Sequence, residues 1–279
     1  MENLGISGCL ADATEIHSAS WNDNTGILAE FQAPGCGISR WKLDDLLQKR
    51  FQSLGGTLIT NSRVAPGQGV VWAAGRPRRS SRWLGLKGHV RNLALTHDLE
   101  MFTSPQGYIG MVKIEHGLVN VCGLFKIEPP RGRKGWDLLL EILRTCSLHN
   151  LADRLKKADV MDTSFCGVAA FELGPQDGPA FRIGDSSSMI PPFTGNGMSM
   201  ALESAECALQ PALDYATGRK SWIEASSACA AAQAARFRRR LAAAEALHSL
   251  LMNPLALRCA SVLARRKCLP FPALLHLVR

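Results

Sequence analysis

The chain has 279 residues, of which 46% are hydrophobic and 20% are charged, a composition typical of globular proteins. This composition excludes a disordered chain, a collagen and a coiled-coil rod, and the length allows one or two domains. The net charge of +8 is unevenly placed, because residues 219–279 hold eleven Lys or Arg and only two acidic residues, Glu224 and Glu245. Such a segment attracts phosphates or anionic membrane surfaces, or it forms a solvated helical face.

The nine cysteines include no Cys-x-x-Cys pair, and no zinc-ligand spacing is present, so we predict no metal site. Cysteines among apolar neighbours suit a reducing compartment, where a thiol packs as a small hydrophobic group. The N-terminus has no signal peptide pattern, and no uncharged apolar stretch reaches the roughly 18 residues of a membrane span. We therefore expect a cytoplasmic protein.

Residues 1–85 combine short strands with one amphipathic helix. Apolar residues recur through residues 38–53 at intervals of three to five, with charged residues between them. This spacing predicts a helix, which the pair Gly55-Gly56 ends. Residues 57–60 and 69–75 are predicted as strands, and the second is apolar on both faces. A strand of that kind is typical of a parallel sheet covered by helices, so this part of the chain indicates α/β layering.

Residues 86–159 change to β structure followed by a helix. Extended runs rich in Val, Ile, Leu and Thr cover residues 89–102, 107–114 and 118–126, and turn residues separate them. These runs predict an antiparallel meander. The apolar spacing in residues 135–157 predicts one helix.

The remaining residues return to strand and then become helical. Residues 160–185 are predicted as strand, and residues 197–215 and the alanine-rich residues 221–246 as helices. A last helix is expected to start at Pro254 and to be stopped by the prolines at positions 270 and 272. The expected fold class is α/β, with an antiparallel sheet and a helical C-terminus.

The segment most informative about chemistry runs from residue 181 to residue 205. A strand ends in Gly184-Asp185, a loop continues to Pro192-x-x-Gly195-x-Gly197, and an apolar helix follows. Glycines let the backbone approach a ligand without a Cβ in the way, and the first amides of a helix are unpaired and carry partial positive charge. Such a helix end suits an anionic or electron-rich oxygen. An Asp at a strand end can accept hydrogen bonds from ligand hydroxyls, such as those of a ribose.

This segment resembles the C-terminal flavin motif of FAD-dependent oxidoreductases of the para-hydroxybenzoate hydroxylase fold. The string from Pro191 to Met198 is most similar to the geranylgeranyl-reductase-like and related monooxygenase branches. The resemblance implies FAD as cofactor, with Asp185 at the ribityl or nearby ribose-phosphate region and the backbone of residues 195–198 at the pyrimidine end of the isoalloxazine. A helix N-terminus there would stabilise the negative charge that a reduced flavin bears near N1 and O2.

Two further segments resemble motifs of the same family. Residues 38–47 resemble its Arg-x-x-Leu helix, whose Arg lies near the FAD, and Arg40 takes that position. Residues 70–76 resemble its second motif, a strand that ends in Asp-Gly, but Ala74 stands where the family has Asp, so that carboxylate is absent. No catalytic residue is implied, because the flavin carries the redox chemistry. The cofactor-binding residues implied by the resemblance are Arg40, Gly184, Asp185, Pro192, Gly195, Asn196, Gly197 and Met198.

The resemblance also divides the chain into parts. Residues 1–85 with 160–220 correspond to a remnant of the three-layer, Rossmann-like FAD-binding domain, residues 86–159 to the antiparallel substrate domain, and residues 221–279 to C-terminal helices. The family opens with a strand, a Gly-x-Gly-x-x-Gly turn and a helix that hold the FAD pyrophosphate, and this sequence contains no such turn. We therefore expect weak FAD binding, either because the gene product starts upstream of Met1 or because this is a shortened relative.

The function implied by the resemblance is flavin-dependent oxidation, monooxygenation or reduction of a small or lipid-like organic substrate, with NAD(P)H or another electron donor. On the predicted meander, His97 and Glu100 are candidates to face that substrate, but alternation does not tell which strand face looks inward. The alternative is a non-enzymatic remnant that binds a lipid or an anionic membrane surface, because leucines alternate with Arg and Lys near the C-terminus as in a basic amphipathic helix. The aromatic content of 6% and the lack of a recognition motif disfavour nucleic acid as a partner.

Overall fold

The computed structural model describes residue 8 and residues 11–76, 83–128, 130, 132–169, 173–176 and 180–278. Within this part of the chain, a seven-stranded sheet has the strand order β2-β1-β4-β5-β6-β3-β7. Neighbouring strands are antiparallel except for β1 and β4, which are parallel. The strands of the sheet are β1 (Thr14–Asp23), β2 (Gly26–Gly37), β3 (Trp83–Arg91), β4 (Leu99–Ser104), β5 (Gly107–Lys113), β6 (Val119–Lys126) and β7 (Asp159–Ala169).

The helices are α1 (Arg40–Ser53), α2 (Gly135–Thr145), α3 (His149–Lys156), α4 (Gly197–Ala216), α5 (Trp222–Leu251), α6 (Pro254–Arg265) and α7 (Phe271–Leu277). Helices α2 and α3 pack on one face of the sheet, and helices of the C-terminal part of the chain pack against β1 and β2. A two-stranded ribbon, β8 (Gly174–Pro175) with β9 (Ser188–Met189), leads toward the C-terminal helices. No single helix in the described residues is both long and apolar enough to cross a membrane.

The main core lies between the sheet and the helix pair α2 and α3. Every second residue of β3, β5 and β6 points to this side, which is the alternation expected of strands. The buried aliphatic side chains of α2 and α3 face the same layer because they recur at intervals of three and four residues. Fully buried members of this core include Leu86, Ile109, Met111, Val121, Phe125, Leu139, Ile142, Leu143 and Leu155.

The predicted meander is confirmed for β4, β5 and β6, but its first run was wrong. Residues 89–102 are not one strand: the end of β3 and the start of β4 are separated by an irregular connection that begins at Asn92, whose φ is +54°. β3 lies between β6 and β7 and does not pair with β4. A run of residues that favour β structure does not show which strands pair, because strand pairing depends on side-chain packing across the sheet.

Three other predicted elements also differ from the structure. Residues 57–60 form no strand, and of residues 69–75 only Trp72 pairs, through a parallel bridge to Arg182. Val71 is exposed rather than buried, because a strand needs neighbours on both sides to be covered. The helix predicted at 135–157 breaks after Cys146, where Ser147 takes a φ of +60°.

The C-terminal prolines start a helix instead of ending one. α6 begins at Pro254, as predicted, with Asn253 as its cap, but it ends at Arg265. Pro270 is the cap residue of α7, and Pro272 lies in its first turn. Proline is tolerated there, since first-turn amides have no partner in the helix.

The α/β fold class with an antiparallel sheet and a helical C-terminus is confirmed. The sheet itself joins strands from several predicted parts of the chain, because β1 and β2 lie before residue 86 and β7 lies at residues 159–169. The division of the chain into three domains stays a prediction.

Candidate functional site

The glycine loop, residues 190–197, is held in one conformation by short-range hydrogen bonds. Ile190 is buried, and a 3-10 turn follows at Pro192–Thr194. The Gly195 amide donates to the Pro192 carbonyl at 3.1 Å, and the Thr194 hydroxyl donates to the Pro191 carbonyl at 3.0 Å. Gly195 then takes a φ of +67°, a left-handed conformation that favours glycine. This geometry turns the chain directly into α4.

The first turn of α4 presents amides that no described side chain caps. Asn196 occupies the cap position, yet its amide group donates to the carbonyl of Val278 near the end of α7. The first helical bond runs from the Met200 amide to the Asn196 carbonyl at 2.9 Å. The preceding amides, of Gly197, Met198 and Ser199, have no acceptor among the described residues, so they carry the positive end of the helix dipole.

Neither glycine of the loop is needed for close packing against the protein. A Cβ built on Gly195 or Gly197 has no atom within 4 Å among the described neighbours. The space beside both residues is therefore open, and it is available to a ligand.

A cavity of about 660 Å³ separates the glycine loop from the sheet. Gly195, Asn196 and Met198 line one side, next to side chains of α4 and α5. The rest of the lining is largely apolar and comes from α1, α7 and strands β1, β2, β4 and β5. This apolar wall includes Ile16, Ala19, Phe31, Ile38, Leu43, Leu99, Val112 and Leu275. An apolar wall together with free backbone amides suits a flat ring with one polar edge.

Charged side chains on α4 and α5 also line the cavity. Arg236 Nε lies 2.9 Å from Glu203 Oε2, and Arg240 Nη1 lies 2.8 Å from Glu203 Oε1. Arg236 also pairs with Glu206 at 3.0 Å. The basic cluster at 236–240 is thus partly neutralised by acids of the neighbouring helix.

Asp185 lies at the end of the segment that pairs with Trp72. The Gly184 amide before it donates to Ser204 Oγ at 2.7 Å, and this bond fastens the strand end to α4. Asp185, Gly184 and Gly197 line one narrow recess beside α4. The Asp185 side chain is exposed to solvent, but its carboxyl group has many protein atoms around it. This partial desolvation raises the pKa of the Asp185 carboxyl, and the positive charges of Arg76 and Arg40 oppose the rise.

Arg40 lies in the first turn of α1, exposed and paired with Asp44 at 3.0 Å. The start of this helix is fixed by Ser39, which caps it by accepting from the Lys42 amide at 3.1 Å. The Ser39 amide in turn donates to Glu115 Oε2 at 2.8 Å. Burial favours the protonated form of Glu115, but the bonds from Ser39 outweigh it and lower the pKa of this carboxyl. A buried carboxylate thus anchors α1 beside the cavity.

The structure brings most of the predicted site residues to two neighbouring places. Gly184, Asp185 and Gly197 share the recess, and Gly195, Asn196 and Met198 line the cavity. Arg40 lines neither, although its charge reaches Asp185, and Pro192 serves the loop as a hydrogen-bond acceptor.

Sequence reasoning missed the apolar sheet wall and Arg76, whose charge acts on Asp185. The signal for Arg76 was its place at the end of the motif at residues 70–76. The hypothesis that Glu100 faces a substrate was wrong. Glu100 points to the helix side of the sheet, where it bonds Arg154 of α3 at 2.6 Å, and its neighbour Leu99 lines the cavity. His97 pairs with Glu30 at 3.1 Å.

No protein-family model matches the chain. No curated protein matches it either. Solved structures do match in fold. HpxO from Klebsiella pneumoniae, complexed with FAD and uric acid, superposes with a TM-score of 0.73 at 13% identity, over 100% of this chain and 83% of HpxO. PqsL from Pseudomonas aeruginosa, in complex with 2-aminobenzoylacetate, gives a TM-score of 0.66 at 14% identity, over 93% of this chain and 84% of PqsL.

A third match is the flavin-dependent brominase Bmp2, with a TM-score of 0.70 at 13% identity, over 99% of this chain and 80% of Bmp2. The chain has the fold of flavin-dependent monooxygenases. At these identities the likeness concerns the fold.

Proposed function

We propose that this chain binds FAD, with the isoalloxazine ring in the 660 Å³ cavity and its pyrimidine edge against the glycine loop. The observation that carries the proposal is the combination of uncapped amides at Gly197–Ser199 with open space beside Gly195 and Gly197. Hydrogen-bond donors fixed in advance at the end of a helix stabilise negative charge at little cost in reorganisation. The FAD-containing HpxO structure supports the choice of cofactor through its fold.

The residues present fit the ring and ribityl end of FAD. Asp185 lies beside Gly197, and its side chain is exposed, so we propose that it accepts hydrogen bonds from hydroxyls of the ribityl chain. The sequence offers no Gly-x-Gly-x-x-Gly turn for the pyrophosphate. We therefore expect weak binding, with similar affinities for FAD and FMN, since only the part that both cofactors share is held by the residues identified.

We propose an oxidoreductase activity, either monooxygenation or reduction, with NAD(P)H or another electron donor. FAD, when bound, supplies the electron transfer. The backbone amides at the start of α4 stabilise the negative charge that develops at the pyrimidine edge of the ring. The apolar wall of the cavity orients the substrate and excludes water. The assignment to a geranylgeranyl-reductase-like branch stays a prediction.

The substrate is proposed to be a small organic molecule with an apolar surface. HpxO and PqsL were solved with small organic compounds, uric acid and 2-aminobenzoylacetate. In this chain the cavity lining from the sheet, α1 and α7 is largely aliphatic, which favours an apolar or lipid-like molecule. A cytoplasmic location is likewise proposed, and the eight cysteines of the described residues are free thiols, in agreement with a reducing compartment.

The test compares Gly197→Ala with Gly67→Ala in a flavin titration followed by fluorescence quenching. Both glycines lack a positive φ and have open space for a Cβ, but only Gly197 lies in the recess. We expect Gly197→Ala to weaken flavin binding about tenfold or more, equivalent to about 1.4 kcal/mol, and Gly67→Ala to leave it unchanged. Equal affinity of both variants for flavin, or no binding of FAD and FMN by the unaltered chain at millimolar concentration, would contradict the proposal.

A further inference from the structure

We propose that α6 docks this protein on anionic phospholipid bilayers through its exposed face. This face, called here the α6 surface, consists of Leu255, Arg258, Cys259, Val262, Leu263 and Arg266, the last being the cap residue that follows the helix. The inference does not depend on flavin binding.

The α6 surface combines apolar and basic side chains on one side of the helix. Leu255 and Val262 are seven residues apart, so they lie on the same side two turns from each other. Leu255 is 71% exposed and Val262 is 50% exposed. Arg258 and Cys259 lie between them, and both are exposed. Single exposed leucines are common on protein surfaces, but an apolar stripe with basic neighbours marks an interaction site.

The opposite side of α6 is fixed to the protein body. Leu257 and Ala264 are buried in a cluster with Trp21 and Leu28 of the sheet. Arg265 pairs with Asp23, the last residue of β1, at 3.1 Å, and it also bonds Thr25 in the turn between β1 and β2. These contacts hold the helix in one orientation, so the α6 surface faces outward as part of a folded unit.

Charge identifies the partner. Residues 246–279 contain no Asp or Glu. Within the described residues neither Arg258 nor Arg266 has a carboxylate at ion-pair distance, and Lys267 is exposed directly after the helix. Arginine and lysine beside exposed leucine and valine favour an interface that offers phosphates next to hydrocarbon. An anionic bilayer offers both. Two copies of the α6 surface would instead repel each other, because both carry positive charge.

The position of the α6 surface connects it with the cavity. α7 follows α6 after a short connection and supplies Leu275 to the cavity wall. Phe271 of α7 stacks on Phe31, which lines the same cavity, with ring centroids 4.9 Å apart. A bilayer on this side would therefore lie near one wall of the cavity.

The test is flotation of the full chain with vesicles of phosphatidylcholine alone or mixed with phosphatidylglycerol. We expect binding to the mixed vesicles, several-fold less binding to neutral vesicles, and a loss of binding when the salt concentration rises, because salt screens exposed charges. Binding that is equal for both vesicle types, or no binding to mixed vesicles at low salt, would overturn the proposal.

Matched variants locate the surface. The double variant Leu255→Glu with Val262→Glu should lose at least about nine-tenths of the binding. Ile223→Glu, at a residue 78% exposed and about 40 Å along α5 from its C-terminal end, should bind as the unaltered chain does. To test the charges, Arg258→Glu should reduce vesicle binding several-fold. Arg239→Glu on α5 changes the net charge by the same amount and should leave vesicle binding unchanged.

Two controls keep the result interpretable. Thermal unfolding shows that each variant is folded, and aggregates sink in a flotation gradient, so they are not counted as bound. If the double variant floats as well as the unaltered chain, the proposal is wrong. If light scattering shows a dimer that the double variant dissociates, the α6 surface binds a second copy and the bilayer proposal is also wrong.

Discussion

The side-chain amide of Asn196 donates a hydrogen bond to the backbone carbonyl of Val278, which joins the first turn of α4 to the C-terminal end of α7. Asn196 is therefore not the cap of its own helix, although it stands at the cap position. Two consequences follow from this one contact. The amides of α4 stay open toward the cavity, and the glycine loop is fixed against a helix that supplies part of the cavity wall.

The first prediction concerns Asn196→Ala. Loss of one hydrogen bond costs about 1 kcal/mol, and here the loss loosens the glycine loop, so we expect flavin affinity to fall roughly fivefold with a small decrease in melting temperature. Fluorescence titration and thermal unfolding measure the two effects. Asn150→Ala is the matched control, because Asn150 donates a similar bond to the Asn24 carbonyl at 2.9 Å outside the site. Equal flavin affinities of the two variants would contradict the role of Asn196.

The second prediction concerns Asp185→Asn. Partial desolvation raises the pKa of this carboxyl against the charges of Arg76 and Arg40. An acid whose pKa is raised by folding makes the folded state less stable above that pKa, and this loss is relieved as the pH falls through the folded-state pKa toward the ordinary value of 3.8. The variant should therefore be at least as stable as the unaltered protein at pH 7 without flavin.

The same substitution should weaken flavin binding about tenfold, because a neutral amide accepts weaker hydrogen bonds from ribityl hydroxyls than a carboxylate does. Melting temperatures at neutral and acidic pH test the first part, and titration with FMN tests the second. A variant that is less stable at pH 7, or one that binds FMN as tightly as before, would show that Asp185 has a structural role instead.

The third prediction concerns the ion pair between Glu100 and Arg154. Glu100 is 2% exposed and lies 2.6 Å from Arg154 Nη1. Burial would raise the pKa of Glu100, but the bonds from Arg154 and Thr96 outweigh burial and lower it. Arg154→Ala leaves a buried carboxylate without its partner, so we expect a loss of about 3 kcal/mol or more.

Because the pKa of Glu100 is lowered in the folded state, the pair stabilises the protein above the ordinary carboxyl pKa of 4.5. That contribution is lost as the pH falls through the lower folded value. Denaturant unfolding at pH 7 measures the effect of Arg154→Ala. Lys49→Ala, which removes the exposed pair with Asp45 at 2.7 Å, should cost less than about 1 kcal/mol. Comparable losses in both variants would contradict the argument.

The fourth prediction concerns His248 of α5. This side chain is buried among Trp83, Tyr108 and Phe193, with ring centroids 5.0–6.2 Å away, and its ring nitrogens have no hydrogen-bond partner in the described residues. Burial, with a smaller contribution from the charge of Lys126, lowers the pKa of His248 to about 4. The unfolded chain takes up this proton at the ordinary value of 6.5, so stability is lost as the pH falls from 6.5 to about 4.

The expected loss over this range is about 3 kcal/mol. His248→Phe should remove it, since phenylalanine fills a similar volume and does not titrate. Unfolding free energies at pH 7 and pH 4.5 measure the difference. His17→Phe at an exposed position should keep the pH dependence of the unaltered protein, and a His248→Phe variant that also keeps it would disprove the assignment.

Much of the local structure was determined by the sequence. α1, α4 and α5 agree with their apolar spacing or alanine content, and the strands β4, β5 and β6 agree with the predicted meander. These elements are set by short-range preferences and by the period of the hydrophobic pattern, which any window of the chain displays. The glycine loop was also visible in the sequence, since its conformation depends on glycine and proline at fixed positions.

Only the tertiary structure decided which strand lies beside which, and which strand face looks into the cavity. Leu99 and Glu100 are adjacent in one strand, yet one lines the cavity and the other binds Arg154 on the far side of the sheet. Alternation defines two faces without naming them, because the choice depends on the helices that cover the sheet. For the same reason, the sequence did not distinguish the basic residues of α5 from those of α6. Only the packing of the helices shows that Arg236 and Arg240 pair with Glu203. Arg258 and Arg266, in contrast, face outward.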